Sequence, residues 1–282
     1  MGRASNRKKA DRQAGHTRQS RRAMRLLEDA LRAIRQDTAE RKQREAAAVR
    51  MWCGGREPVP AAVPPWPDDS LGDRFRNGFL DDARSAPFLV TVQIPDAAVI
   101  AADPGHWSVA TNALIRAVAF DGMAVDHPAV RTVLEALAPV AEAEFAHQAA
   151  AEAWFSLDPS DREGPEPRFP ELQGPGFLLG TCALVDATWA IVGEDPLEEV
   201  LGILLPVLDR TVPGLDGQVI ADALIGAFAH HYRCEQPGDA LENLVASGAV
   251  PPADILPVGL MILSALAGFC RSSSDSILQP AA

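Results

Sequence analysis

Beyond residue 50 the chain contains no lysine; Lys8, Lys9 and Lys42 are the only three. That absence removes a P-loop lysine, a Schiff-base lysine for pyridoxal phosphate and a kinase-type strand lysine from any site built on the body. Cysteine is sparse. Cys53, Cys182, Cys234 and Cys270 stand far apart without a C-x-x-C pair, which argues against a zinc ribbon and a thioredoxin-like centre. No G-x-S-x-G nucleophile elbow and no H-E-x-x-H zinc helix occur. Gly174-Pro175-Gly176 with Gly180 only loosely imitates a dinucleotide turn. It follows a proline loop rather than a strand, and its last glycine is one residue late. The basic N-terminus is followed by no apolar h-region, so no secretory signal is read. Asn6 stands where a myristoylation signal needs Ser or Thr. Widely separated cysteines and the missing leader lead us to expect a reduced, cytoplasmic setting.

What the chain has in quantity is apolar residues, at 47% of 282, so it can bury a real core. It also has a split of charge. Residues 1–50 hold fifteen Lys or Arg against six Asp or Glu, a net +9. The remaining 232 residues hold eleven against thirty-two, a net −21, and together these give the overall −12. A basic arm on an acidic body is the expectation.

The grammar of the chain is helix, short Gly/Pro/Asp turn, helix. It predicts a predominantly all-α fold, a helical bundle or short helical array with at most one minor strand. Residues 1–52 read as a basic arm, unstructured at first and helical from about Thr17. Met24, Leu27, Leu31 and Ile34 make one narrow apolar stripe there. The stripe ends too soon for a long coiled coil. Glu28 with Arg32, Asp37 with Arg41 and Glu40 with Arg44 are i,i+4 pairs in the favourable order, each worth about 0.2–0.5 kcal/mol. Cys53-Gly54-Gly55 stops the helix, and five prolines between Pro58 and Pro67 make residues 53–70 a stiff linker.

Residues 71–155 form a helical region. Its Phe88–Ile94 segment is the best strand candidate and is read as an extended segment laid over helices. Helices are expected over Trp107–Phe120 and His127–Phe155, with a split or kink at Pro139. Residues 156–175 are an acidic, proline-rich loop. Residues 176–271 carry the longest apolar runs and read as the helical core, to which the earlier segments are attached. Pro252 opens the last helix, carrying Ile255 to Cys270, and 272–282 is a frayed tail. Two apolar runs, Phe177–Val192 and Ile255–Cys270, raise the membrane question. Asp186 interrupts the first, and the second is shorter than the ~20 residues a bilayer needs, so both are read as buried core helices.

Three groups of residues carry candidate chemistry, and none is catalytic. The strongest is the arm: Arg7, Lys8, Lys9, Arg12, Arg18, Arg21, Arg22 and Arg25 cluster as a polyanion-binding segment needs. No aromatic precedes Trp52, so base stacking is not expected from the arm, and contact would run through phosphates. His230 and Cys234 share a helical face, with Asp222 two turns earlier, and imidazole plus thiolate suits zinc. The competing reading is a polar helix end with a packed cysteine; Cys182 and Cys270 would have to converge to complete a metal set. Glu144 and His147 form one Glu-x-x-His half of a di-iron-type motif whose second half is missing. Glu142 and Glu152 nearby favour a solvated acidic face instead. No cofactor is implied. The expectation is a non-enzymatic binding or accessory protein contacting nucleic acid or a ribonucleoprotein. Its rivals are a metal-binding protein centred on His230–Cys234 and a helical scaffold for a protein partner. A membrane partner is not expected.

Overall fold

The computed structural model describes residues 32, 35–61, 81–164, 202, 206, 216–222 and 243–265. Those residues are 70% helical and contain no strand, as the predominantly all-α expectation requires. The chain divides into two compact units, Met1–Ala46 and Ala47–Ala282.

Helix α1 covers residues 35–52. Its end follows from two glycines. Gly54 and Gly55 have φ of 57° and 80°, where a Cβ is strained. That geometry lets Gly54 N donate to Met51 O at 3.1 Å and Gly55 N to Arg50 O at 2.8 Å. The two bonds are those of a Schellman closure, which satisfies carbonyls that the helix end would otherwise orphan.

In the second unit, a short α2 (Asp81–Arg84) and α3 (Ala97–Ala102) lead to α4 (Pro104–Ile115). Asp103 caps α4, its carboxylate accepting from Gly105 N at 2.8 Å, and Pro104 sits at N1 where no amide donor is needed. Helix α5 (Pro128–Ser156) is entered in the same way, with His127 Nδ1 accepting from Ala129 N at 3.2 Å. Pro139 neither splits nor ends α5. It lies on the exposed side, so the Glu135 carbonyl it leaves unbonded faces solvent. The described part of α6 is residues 217–222 and of α7 residues 243–246. A 3₁₀ turn at Pro252–Asp254 then opens α8, residues 255–265.

Helices α4 and α8 are buried almost all round, so they form the centre. Ala110, Ala113 and Leu114 of α4 are wholly enclosed, as are Val258, Ile262 and Leu263 of α8. Helix α5 covers them with one stripe, Val130, Val133, Leu137, Val140 and Ala141, and meets α3, α4 and the 3₁₀ turn. Trp52, Ile100, Leu114, Leu137, Ile220 and Leu260 belong to one continuous core cluster. The segments before residue 176 are therefore not attachments to a later core; α4 and α5 supply much of it. Phe177–Val192 lies outside the described residues.

Phe88–Ile94 is not a strand. Thr91 N donates to Phe88 O at 2.9 Å, which closes a turn, and Gln93 N donates to Trp52 O at 3.1 Å. With no strand among the described residues to pair with, its β-branched residues settle for a turn and an extended stretch, with Leu89 tucked into the core.

Candidate functional site

The densest polar chemistry in the described body is buried. Helix α4 runs directly into a π-helical turn, Arg116–Phe120. In an α-helix, residues five apart diverge by about 140°. The wider π turn, closed by Asp121 N donating to Arg116 O at 3.0 Å, brings Asp121 round to Arg116. Arg116 Nε then meets Asp121 Oδ2 at 3.2 Å. Its Nη1 donates to Ala86 O at 2.6 Å and also to Val59 O, and its guanidinium lies 5.2 Å from the Phe88 ring centre. Arg84 Nε donates to Ala61 O at 3.2 Å while Ala61 N donates to Arg84 O at 2.9 Å. Arg116 and Arg84 thus fasten residues 59–61 to 84–86.

Arg116 is only 3% exposed, so its charge needs these partners. Burial pushes the Asp121 carboxyl above its ordinary 3.8; the charge of Arg116 and its hydrogen bond pull the other way and are outweighed. Asp254 is raised by burial alone. Burial also lifts the Cys53 thiol above 9.0, opposed by Arg56 and Arg116 and assisted by Glu57. A raised thiol pKa makes a poor nucleophile and a poor metal ligand.

A second buried contact joins the end of α1 to the first turn of α4. Trp52, wholly buried, donates its indole N–H to His106 Nδ1 at 3.0 Å. At the far end of α5, Arg162 caps open carbonyls. It donates through Nε to Leu157 O at 3.1 Å and through Nη2 to Phe155 O at 3.0 Å, and it stacks over Trp154 at 4.6 Å. These contacts join segments of the protein to one another, while the Trp154 indole N–H is buried without a hydrogen-bond partner.

The residues singled out from sequence fall as follows. His230 and Cys234 lie outside the described residues, as do Cys182 and Cys270. Asp222 is described; it is exposed and accepts from Gln218 Nε2 at 2.7 Å. Among the described residues no three His, Cys, Asp or Glu side chains converge as a metal centre. Glu144 is buried rather than on a solvated acidic face, because it continues the inward stripe three residues after Ala141. Glu142 is exposed, as expected. The arm residues Arg7, Lys8, Lys9, Arg12, Arg18, Arg21, Arg22 and Arg25 also lie outside the described residues. The helical continuation of the arm is described: Arg32, Arg35, Arg41 and Lys42 are exposed on it. Arg41 pairs with Glu45 at 3.8 Å, and Gln36 donates to Glu40 at 3.0 Å. Among the described residues no helix is long and apolar enough to cross a membrane.

Sequence reading missed Arg116 and the Trp52–His106 bond. For Arg116 a signal existed: it is the one cation in the apolar stretch from Trp107 to Phe120. Comparison with protein families, curated proteins and solved structures finds no match to this chain.

Proposed function

We propose that the chain is a non-enzymatic binding or accessory protein whose basic N-terminal arm contacts a polyanion, nucleic acid or a ribonucleoprotein, through its phosphates. The observation that carries this reading is the charge split, +9 over residues 1–50 against −21 over the rest. Clustered cations gain binding free energy by releasing condensed counterions from a polyanion. An acidic body repels the same polyanion, which confines contact to the arm. Three observations support it further. Arg116, Trp52 and His106 are buried and bonded to protein groups, the Cys53 thiol is not activated, and Arg35, Arg41 and Lys42 of the helix after Arg32 are exposed. The reading carries a cytoplasmic setting with it, on the sparse and separated cysteines.

The experiment compares the full chain with one lacking residues 1–25, on a labelled mixed-sequence nucleic acid at 50 and 200 mM salt. The full chain binds at the lower salt and loses affinity at the higher by a factor of about 10³, the loss for six phosphate contacts. The shortened chain binds far more weakly. Equal binding by both chains overturns the proposal.

A further inference from the structure

The helix that follows Arg32 has two chemically different sides. At about 100° per residue, Arg32, Arg35 and Lys42 fall within an arc of roughly 80°, with Ala39, Gln43 and Ala46 filling the same side. All six are exposed. Among the described residues, Arg32, Arg35 and Lys42 form no ion pair. Every acid of this stretch lies outside that arc: Asp37, Glu40 and Glu45, together with Arg41, which bridges to Glu45, and the half-buried Arg44. Cations matched to acids and cations left for solvent are therefore segregated.

We infer that the Arg32–Arg35–Lys42 side is a docking face for the phosphate backbone of double-stranded DNA. The inference rests on the polyanion reading above and names the polyanion. Charge complementarity is the first argument, because a row of cations with no acid partner among the described residues, on one side of a helix, matches a row of phosphates. Arg35 and Lys42 stand about 10 Å apart along the axis, seven residues at about 1.5 Å each, and a helix holds that spacing rigidly. A fixed spacing suits the regular phosphates of a duplex. Single-strand recognition needs aromatic platforms instead. The first aromatic of the chain, Trp52, is buried and bonded to His106, so it stacks on nothing outside. Size chooses the duplex. An α-helix, about 10–12 Å across with its side chains, fits the major groove of B-form DNA, about 12 Å wide. The major groove of A-form RNA is too narrow for it.

The test uses the full chain and two double variants that each remove two positive charges. Arg35→Gln/Lys42→Gln strips the proposed face; Arg41→Gln/Arg44→Gln strips the acid-bearing side. Glutamine is a good helix former, and circular dichroism verifies that both variants keep the helix. Arg35→Lys/Lys42→Arg restores the charge. Affinity for a mixed-sequence 20-base-pair DNA duplex is read by anisotropy across a salt series, beside duplex RNA and single-stranded DNA. The face variant lowers the slope of log K against log salt by nearly two, at about 0.9 per phosphate contact. The acid-side variant leaves the slope close to that of the wild type, the charge-restoring variant binds like the wild type, and duplex DNA is bound best. Equal losses in the two double variants overturn the face. Tighter binding of duplex RNA or of single strands overturns the choice of DNA. If the wild type binds no nucleic acid at 50 mM salt, the polyanion reading fails as well. If binding depends on residues 1–25 and is indifferent to Arg35 and Lys42, only this inference fails.

Discussion

Replacing Arg116 with methionine should destabilise the protein far more than neutralising its acidic partner. Arg116→Met keeps most of the apolar stem beside Phe88 but deletes the guanidinium. Val59 O and Ala86 O lose their donor, and the Asp121 carboxylate is left without its buried cation. Removing one partner of a buried pair costs about 3–5 kcal/mol. Total stability of a protein this size is about 5–15 kcal/mol, so that loss is a large share of it. Asp121→Asn is different. Asparagine keeps an oxygen for Arg116 Nε, and Arg116 keeps both carbonyls and the ring. Burial outweighs the pull of Arg116 on the Asp121 carboxyl, so its charge costs more than the pairing returns. The expected loss in Asp121→Asn is about 1–2 kcal/mol, because the buried guanidinium loses its counter-ion but keeps its carbonyl acceptors. The pH dependence follows with a definite sign. A carboxyl raised above 3.8 in the folded protein binds more protons there than in the unfolded chain. Its contribution to stability is full below 3.8 and is lost as pH rises through the folded value. The wild type should lose stability relative to Asp121→Asn over that window and run parallel to it above. Urea unfolding followed by circular dichroism, at several pH values, measures all of this. If Asp121→Asn costs as much as Arg116→Met, or if the wild type gains on Asp121→Asn as pH rises, the reasoning is refuted.

Three further outcomes are expected. His106→Leu leaves the Trp52 indole N–H buried without an acceptor and should cost about 1–3 kcal/mol, whereas Trp52→Phe/His106→Leu should cost less than the sum of the single changes; a double-mutant cycle with no coupling would deny the bond. Cys53 should alkylate with iodoacetamide at least about ten-fold more slowly in the folded than in the unfolded chain at pH 8, read by peptide mass, because burial raises its pKa and hides it. Arg162→Ala should fray the last turn of α5, speeding hydrogen exchange there while changing global stability by less than about 1 kcal/mol; unchanged exchange at residues 153–157 would contradict the cap.

Local chemistry was legible in the sequence where a few neighbouring residues decide it. Cys53-Gly54-Gly55 announces the end of α1 and Pro252 the last helix, whereas the start of α4 at Pro104, three residues before the expected Trp107, was missed. Contacts between distant residues left no mark of that kind. Trp52 and His106 are 54 positions apart, and nothing in either neighbourhood names the other. The π turn depends on Arg116 reaching carbonyls at 59 and 86, which no helical periodicity encodes. Phe88–Ile94 has the composition of a strand, but a strand needs a partner and the described chain supplies none. Glu144 was assigned to the wrong side because its acidic neighbours weighed more in that reading than its register with Val140 and Ala141. For the candidate site, the sequence carried the charge asymmetry in full. The separation of paired from unpaired cations after Arg32 emerged only with exposure and ion pairs assigned.

The polyanion reading is tested most directly by the salt dependence of binding by the full chain. The measurement is the slope of log K against log salt for a mixed-sequence DNA duplex, taken from 50 to 200 mM. Engagement of five or more cations predicts a slope of about −4.5 or steeper. A slope near zero, or no binding at the lowest salt, would contradict phosphate-driven contact and with it the proposed role of the arm.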